Sequence, residues 1–132
     1  MVGKKNMVFG FVYFLATLAV GMYLANELSL GDAEFAASET RSAIRTAHAH
    51  ANMESVLNIV IGYLLCRLAL AAWLAKTVSV LLIIGALTHS GALLLGSFGM
   101  EAALMLAPVG ALSLVAVMAL MGFGVLKTEQ IG

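Results

Sequence analysis

The chain has 132 residues, 62% of them hydrophobic and 11% charged, with a mean hydropathy of +1.03. Seven Lys and Arg balance seven Asp and Glu, so there is no basic surplus of the kind nucleic acid requires. A soluble domain carries about 25% charge. A chain this short and apolar cannot cover a water-facing surface, and its surplus must face lipid, where only helices and closed barrels pair every backbone group.

The apolar runs are continuous rather than alternating, which predicts helices. The chain is read as one all-α transmembrane domain over 1–132, an integral membrane four-helix bundle. Lys4 and Lys5 precede an apolar run from Met7 to Ala25. It has the ~20 residues a span needs and no small-residue cleavage site after a short apolar core, so it is read as a retained helix over about 7–28. The polar segment Glu27 to Arg45 follows, and a second helix is predicted over about 40–73. Asp32 is a plausible N-cap, and the helix formers from Ala33 to Arg45 would carry this helix beyond the bilayer. Third and fourth helices are predicted over about 76–98 and 101–126, with Pro108 bending the fourth or sitting in its opening turns. The single cysteine, Cys66, reads as packing.

Lys4, Lys5, Arg67, Lys76 and Lys127 fall at one end of this arrangement. The positive-inside rule makes that end, and both termini, cytoplasmic in a multi-pass inner (cytoplasmic) membrane protein.

Ionisable residues inside spans are costly, so each is a functional candidate. His48, His50 and Glu54, with Asn52 and Asn58, lie on the second predicted helix and His89 on the third. Residues two apart on a helix point about 200° apart, so His48 and His50 belong to two stripes. One runs through Arg41, Arg45, His48, Asn52, Ser55, Ile59 and Gly62; the other through His50, Glu54, Asn58 and Ile61. The first suits haem, with His48 on the iron and Arg41 and Arg45 on the propionates. Gly85 and Gly96, near His89, would let a flat macrocycle or another helix come close. The second stripe with His89 offers a copper or zinc site at His50, Glu54 and His89. Each feature also has a structural reading: His89 as a hydrogen-bond partner for a neighbouring helix, Glu54 as the partner of His50, the glycines as packing positions, and the arginines as headgroup contacts.

The stretch Arg45-Thr46-Ala47-His48-Ala49-His50-Ala51-Asn52-Met53-Glu54, opening the second of four helices after an acidic loop, resembles the styrene oxide isomerases. Lys76-Thr77 entering the third helix, Ala107-Pro108 in the fourth and the closing Lys127 are similar too. The resemblance implies a small membrane enzyme, trimeric, holding haem b between subunits and using ferric iron as a Lewis acid to turn an epoxide into an aldehyde. It places the axial histidine at His48 and Glu54 where the family has asparagine. The family's helix-three tyrosine falls near Gly96, so this chain lacks it, and His89 stands in the middle of that helix.

Four functions follow as expectations. The first is a haem b protein of the styrene oxide isomerase type, acting on a small lipophilic epoxide, with Glu54 and Asn52 lining the pocket as catalytic residues. The second is a bis-His haem electron-transfer or accessory subunit using His48 or His50 with His89. The third is a copper or zinc protein, and the fourth an accessory subunit without a cofactor. A four-helix chain has little interior for haem, so the haem readings expect a homo-oligomer, a trimer by resemblance.

Overall fold

The computed structural model describes residues 1–128, and the chain is helical throughout that range apart from short links. Helix α1 spans Val2–Ser29. Its buried residues are Gly3, Asn6, Gly10, Thr17 and Leu24, a single stripe of mostly small side chains. Small residues let backbones approach: a Cβ at Gly62 would lie 2.7 Å from the Gly3 carbonyl, and one at Gly10 would lie 2.7 Å from the Ser55 carbonyl. The rest of α1 presents Phe11, Leu15 and Met22 outward.

The polar segment does not form one helix running into the second. Asp32 Oδ1 accepts from Glu34 N and Phe35 N, at 2.8 and 3.0 Å, and starts the short α2, Ala33–Ala37. Ser38 then takes an extended backbone, and its Oγ accepts from Arg41 N at 3.1 Å to cap α3, Glu39–Arg67. A serine that competes for backbone groups breaks a helix as readily as it starts one. Helix α3 ends at Arg67, not near Trp73, because Leu68 is extended. Helix α4 then begins at Ala72 and runs to Thr88.

The third predicted helix is interrupted. His89 has ψ −82°, outside the helical range, and α5 resumes over Ser90–Ser97. Gly110 lies against this break, where an added Cβ would collide with the backbone nitrogen of His89 and lie 2.6 Å from its Cβ. Gly99, at φ +95°, turns the chain after α5. A 3-10 turn over Glu101–Leu106 leads into α6, Ala107–Lys127. Pro108 sits in the first α-helical turn, where its missing N–H leaves nothing unpaired.

Helix α3 packs on α1 along one side and on α4 and α5 along the other, and α4 packs on α6. The apolar core joins Ile61, Leu65, Leu74, Val78, Leu82, Val117 and Met121. A buried polar clamp ties α1, α3 and α4. Asn6 donates to Asn58 Oδ1 at 3.1 Å and to the Ser79 carbonyl at 3.0 Å, and Ser79 Oγ donates back to Asn6 Oδ1.

Three helical stretches, Val2–Ser29, Ala72–Ser97 and Glu101–Lys127, are long and apolar enough to cross a membrane, which makes this a membrane protein by composition and length. Gly3 meets Gly62 and Cys66, while Gly124 meets Leu70 and Leu74. The basic residues Lys4, Lys5, Arg67, Lys76 and Lys127 therefore gather at one end of the helices.

Candidate metal centre

The two stripes of α3 face different neighbours. His50, Glu54, Asn58 and Ile61 turn toward α4 and α5; His48, Asn52, Ser55 and Ile59 turn toward α1. The break at His89 and the second stripe together make one polar group around the buried Glu54. His50, Glu54 and His89 each offer a ligand atom, all within 4.8 Å of one another.

Glu54 is wholly buried. His89 Nδ1 lies 2.6 Å from its Oε1, and Ser90 Oγ donates to its Oε2 at 2.5 Å. With the carboxylate as acceptor, His89 donates from Nδ1, and in the neutral ring this tautomer leaves Nε2 as the nitrogen open to a metal. The hydroxyl proton of Ser90 is spent on Glu54. The Tyr13 hydroxyl, 2.9 Å from Ser90 Oγ, is then the donor to it. A carboxylate holding one imidazole nitrogen while the other stays free is the usual arrangement behind a metal-bound histidine. The rings of His50 and His89 stand edge to face, with centroids 4.9 Å apart and planes at 79°. That contact leaves no gap for a macrocycle between these two rings. Ligand atoms within 4.8 Å of one another could instead hold a single ion.

His48 takes no part in this group. Its ring packs on Gly21 of α1, where an added Cβ would lie 2.9 Å from Cε1. Its Nε2 is 3.0 Å from Asn52 Nδ2. Asn52 Oδ1 accepts from Thr17 Oγ1 at 2.5 Å, so Asn52 bridges His48 to α1 and does not border the His50–His89 pair. The buried Nδ1 of His48 has no partner among the described residues. Arg41 donates from Nη1 to the Ala36 carbonyl at 2.8 Å, fastening α2 to α3. Arg45 is exposed. Gly85, expected to leave room for a cofactor, is covered by Leu114 of α6, 2.8 Å from where its Cβ would be, and Gly96 is covered by Leu104. Both are packing positions.

Two hollows flank Thr46 at the end away from the basic residues. One, of about 370 Å³, opens between α3 and α5 beside Glu39, Ser42 and Ser97, with Thr46 and Leu93 one helical turn outward of His50 and His89. The other, of about 320 Å³, lies on α3 itself and is lined by Arg45, Thr46, Ala49, His50 and Met53. Ser90 and Tyr13 were not expected at the site. Tyr13 is a lone polar group in an apolar run and Ser90 directly follows Thr88 and His89, and those placements were the signals available in the sequence.

An all-helical membrane chain with a His–Glu–His cluster around a buried carboxylate is the class that these features define. The chain belongs to the family described as a domain of unknown function, DUF8059, whose model matches residues 3–132. No curated protein and no solved structure matches it.

Proposed function

We propose that this chain is a membrane metal protein that binds one zinc or copper ion through His50 and His89. Glu54 fixes the tautomer and tilt of His89 or supplies a third ligand. The observation that carries this reading is the buried Glu54–His89 pair, at 2.6 Å, within reach of His50. Two imidazoles and a carboxylate are a transition-metal donor set, and a site with so few protein ligands keeps positions open for a small molecule. The ion would supply Lewis acidity there. The protein would supply orientation, through Glu54, Ser90 and Tyr13, and shelter from water.

The same reading makes α3 the fourth span. Its mean composition is lowered by polar residues that point inward, while its exposed stripe of Ala49, Met53, Val56, Val60 and Tyr63 is apolar. The 22 steps from Arg45 to Arg67 cover ~33 Å at 1.5 Å per residue, close to the ~30 Å hydrocarbon thickness. Four spans in the inner (cytoplasmic) membrane, with both termini on the cytoplasmic side, agree with the basic end.

A second reading, haem b bound between copies of the chain as in the styrene oxide isomerases, draws on the hollow that places Arg45 beside His50. A haem propionate would pair with Arg45 and a ring nitrogen of His50 would reach the iron. His48, the ligand that the resemblance implies, has its Nε2 occupied by Asn52. Epoxide isomerisation and trimeric assembly belong to this second reading.

One purification in mild detergent separates the two. Metal analysis with about one zinc or copper per chain, lost in His50→Ala and His89→Ala and unaccompanied by a Soret band, is the expected result. A Soret band near one haem per chain would replace the first reading with the second. Neither metal nor haem after supplemented expression would discard both.

A further inference from the structure

The hollow on α3 has a polar rim and an apolar floor that continues into the lipid-facing stripe. Arg45, Thr46, Ala49, His50 and Met53 line it in that order down the helix, with the cation and hydroxyl at one end and Met53 at the other. Below it the stripe descends through Val56 and Val60, with Met53, Val56 and Val60 left 54%, 46% and 48% exposed. The two arginines of α3's outer turns differ. Arg41 spends Nη1 on the Ala36 carbonyl, whereas Arg45 has no carboxylate within salt-bridge distance among the described residues. A cation at the rim, a hydroxyl and an imidazole near it, and an exposed apolar stripe below define complementary chemistry. An anionic head fits the rim and an alkyl tail fits the stripe.

We propose that this hollow binds a membrane-resident amphiphile with a single anionic head, a long-chain carboxylate, whose head rests on Arg45 and whose tail lies along Met53, Val56 and Val60. His50 is shared between this hollow and the metal group. The head would therefore sit beside the open positions of the ion, and the amphiphile becomes the substrate or ligand class of that site. Contact with the ion rests on the metal reading; the contact with Arg45 does not.

The test uses the full chain in phosphatidylcholine nanodiscs with spin-labelled stearate, reading the fraction of label immobilised at the protein surface. Stearate should associate more strongly than its methyl ester. Arg45→Gln should lower that preference roughly fivefold, as loss of a basic side chain at an anionic interface does. Arg41→Gln should leave it unchanged, and excess acetate should not displace the label. Adding zinc should tighten stearate in the wild type and not in His50→Ala. Equal binding of stearate and its ester, equal losses in the two arginine variants, or displacement by acetate would each overturn the proposal. A preference that needs Arg45 but ignores zinc in a protein that binds no metal would remove the metal reading and leave the amphiphile site standing. Bound zinc without any stearate preference would do the reverse.

Discussion

Replacing Glu54 with Gln keeps its shape and removes the carboxylate that holds His89. Loss of such an orienting group costs metal affinity about 10–100-fold. Titration of purified Glu54→Gln with zinc should show that drop, with binding still reaching one ion per chain at saturation. His89→Ala is harsher, because it leaves a wholly buried carboxylate with only Ser90 as partner. Breaking a buried pair from one side costs about 3–5 kcal/mol. Thermal unfolding in detergent should place the paired change Glu54→Gln, His89→Gln nearer the wild type than His89→Ala alone. At this scale much could be read from the sequence. The 100° turn per residue separates His48 from His50 and groups His50 with Glu54 and Asn58, as the structure does. The α3 sequence gives no sign of which stripe meets α1 and which meets α4 and α5. His48 was favoured for a cofactor because Arg41 and Arg45 share its stripe, and in the fold that stripe is largely the seam with α1.

Among the elements, the break between α4 and α5 is where the site depends on packing. Gly110 allows α6 to lie against the backbone of His89. A methyl group there meets backbone atoms, which cannot rotate aside, and overpacking of this kind costs about 1–3 kcal/mol. Gly110→Ala should therefore lower the melting temperature and weaken zinc binding together. Gly122→Ala, where an added Cβ meets nothing within 4 Å, should change neither. The clamp of Asn6, Asn58 and Ser79 makes a separate prediction. Asn6→Ala strands the oxygens of Asn58 and Ser79, at about 1–3 kcal/mol for unpaired buried groups, while zinc affinity stays near that of the wild type. The sequence does mark the break, with Thr88-His89-Ser90-Gly91 interrupting the apolar run, but a Ser–Gly step can kink a helix or lie within one. Ser38 was equally hard to read: a serine among helix formers can lie within a helix or cap the next one, and only its extended backbone decides.

For the whole molecule, the gathering of Lys4, Lys5, Arg67, Lys76 and Lys127 at one end predicts a cytoplasmic C-terminus. A fluorescent protein fused after Gly132 should glow in cells, and an alkaline phosphatase fused there should be inactive. The membrane class was legible from composition, since 62% hydrophobic residues have nowhere else to go. On the four-span reading, α3 is the span that average hydropathy misses, because it cannot see that the polar groups of α3 point inward. That inversion also bears on biogenesis. A glutamate or aspartate near the middle of a lone helix opposes insertion by roughly 2.5–3.5 kcal/mol. When α3 leaves the ribosome, Asn6 of α1 is already made, but Ser90 and His89 are not. On the four-span reading, α3 should remain at the translocon until α4 and α5 are synthesised. Nascent chains cut off before Thr88 should then insert α3 poorly, and chains extended past Ser97 should insert it fully.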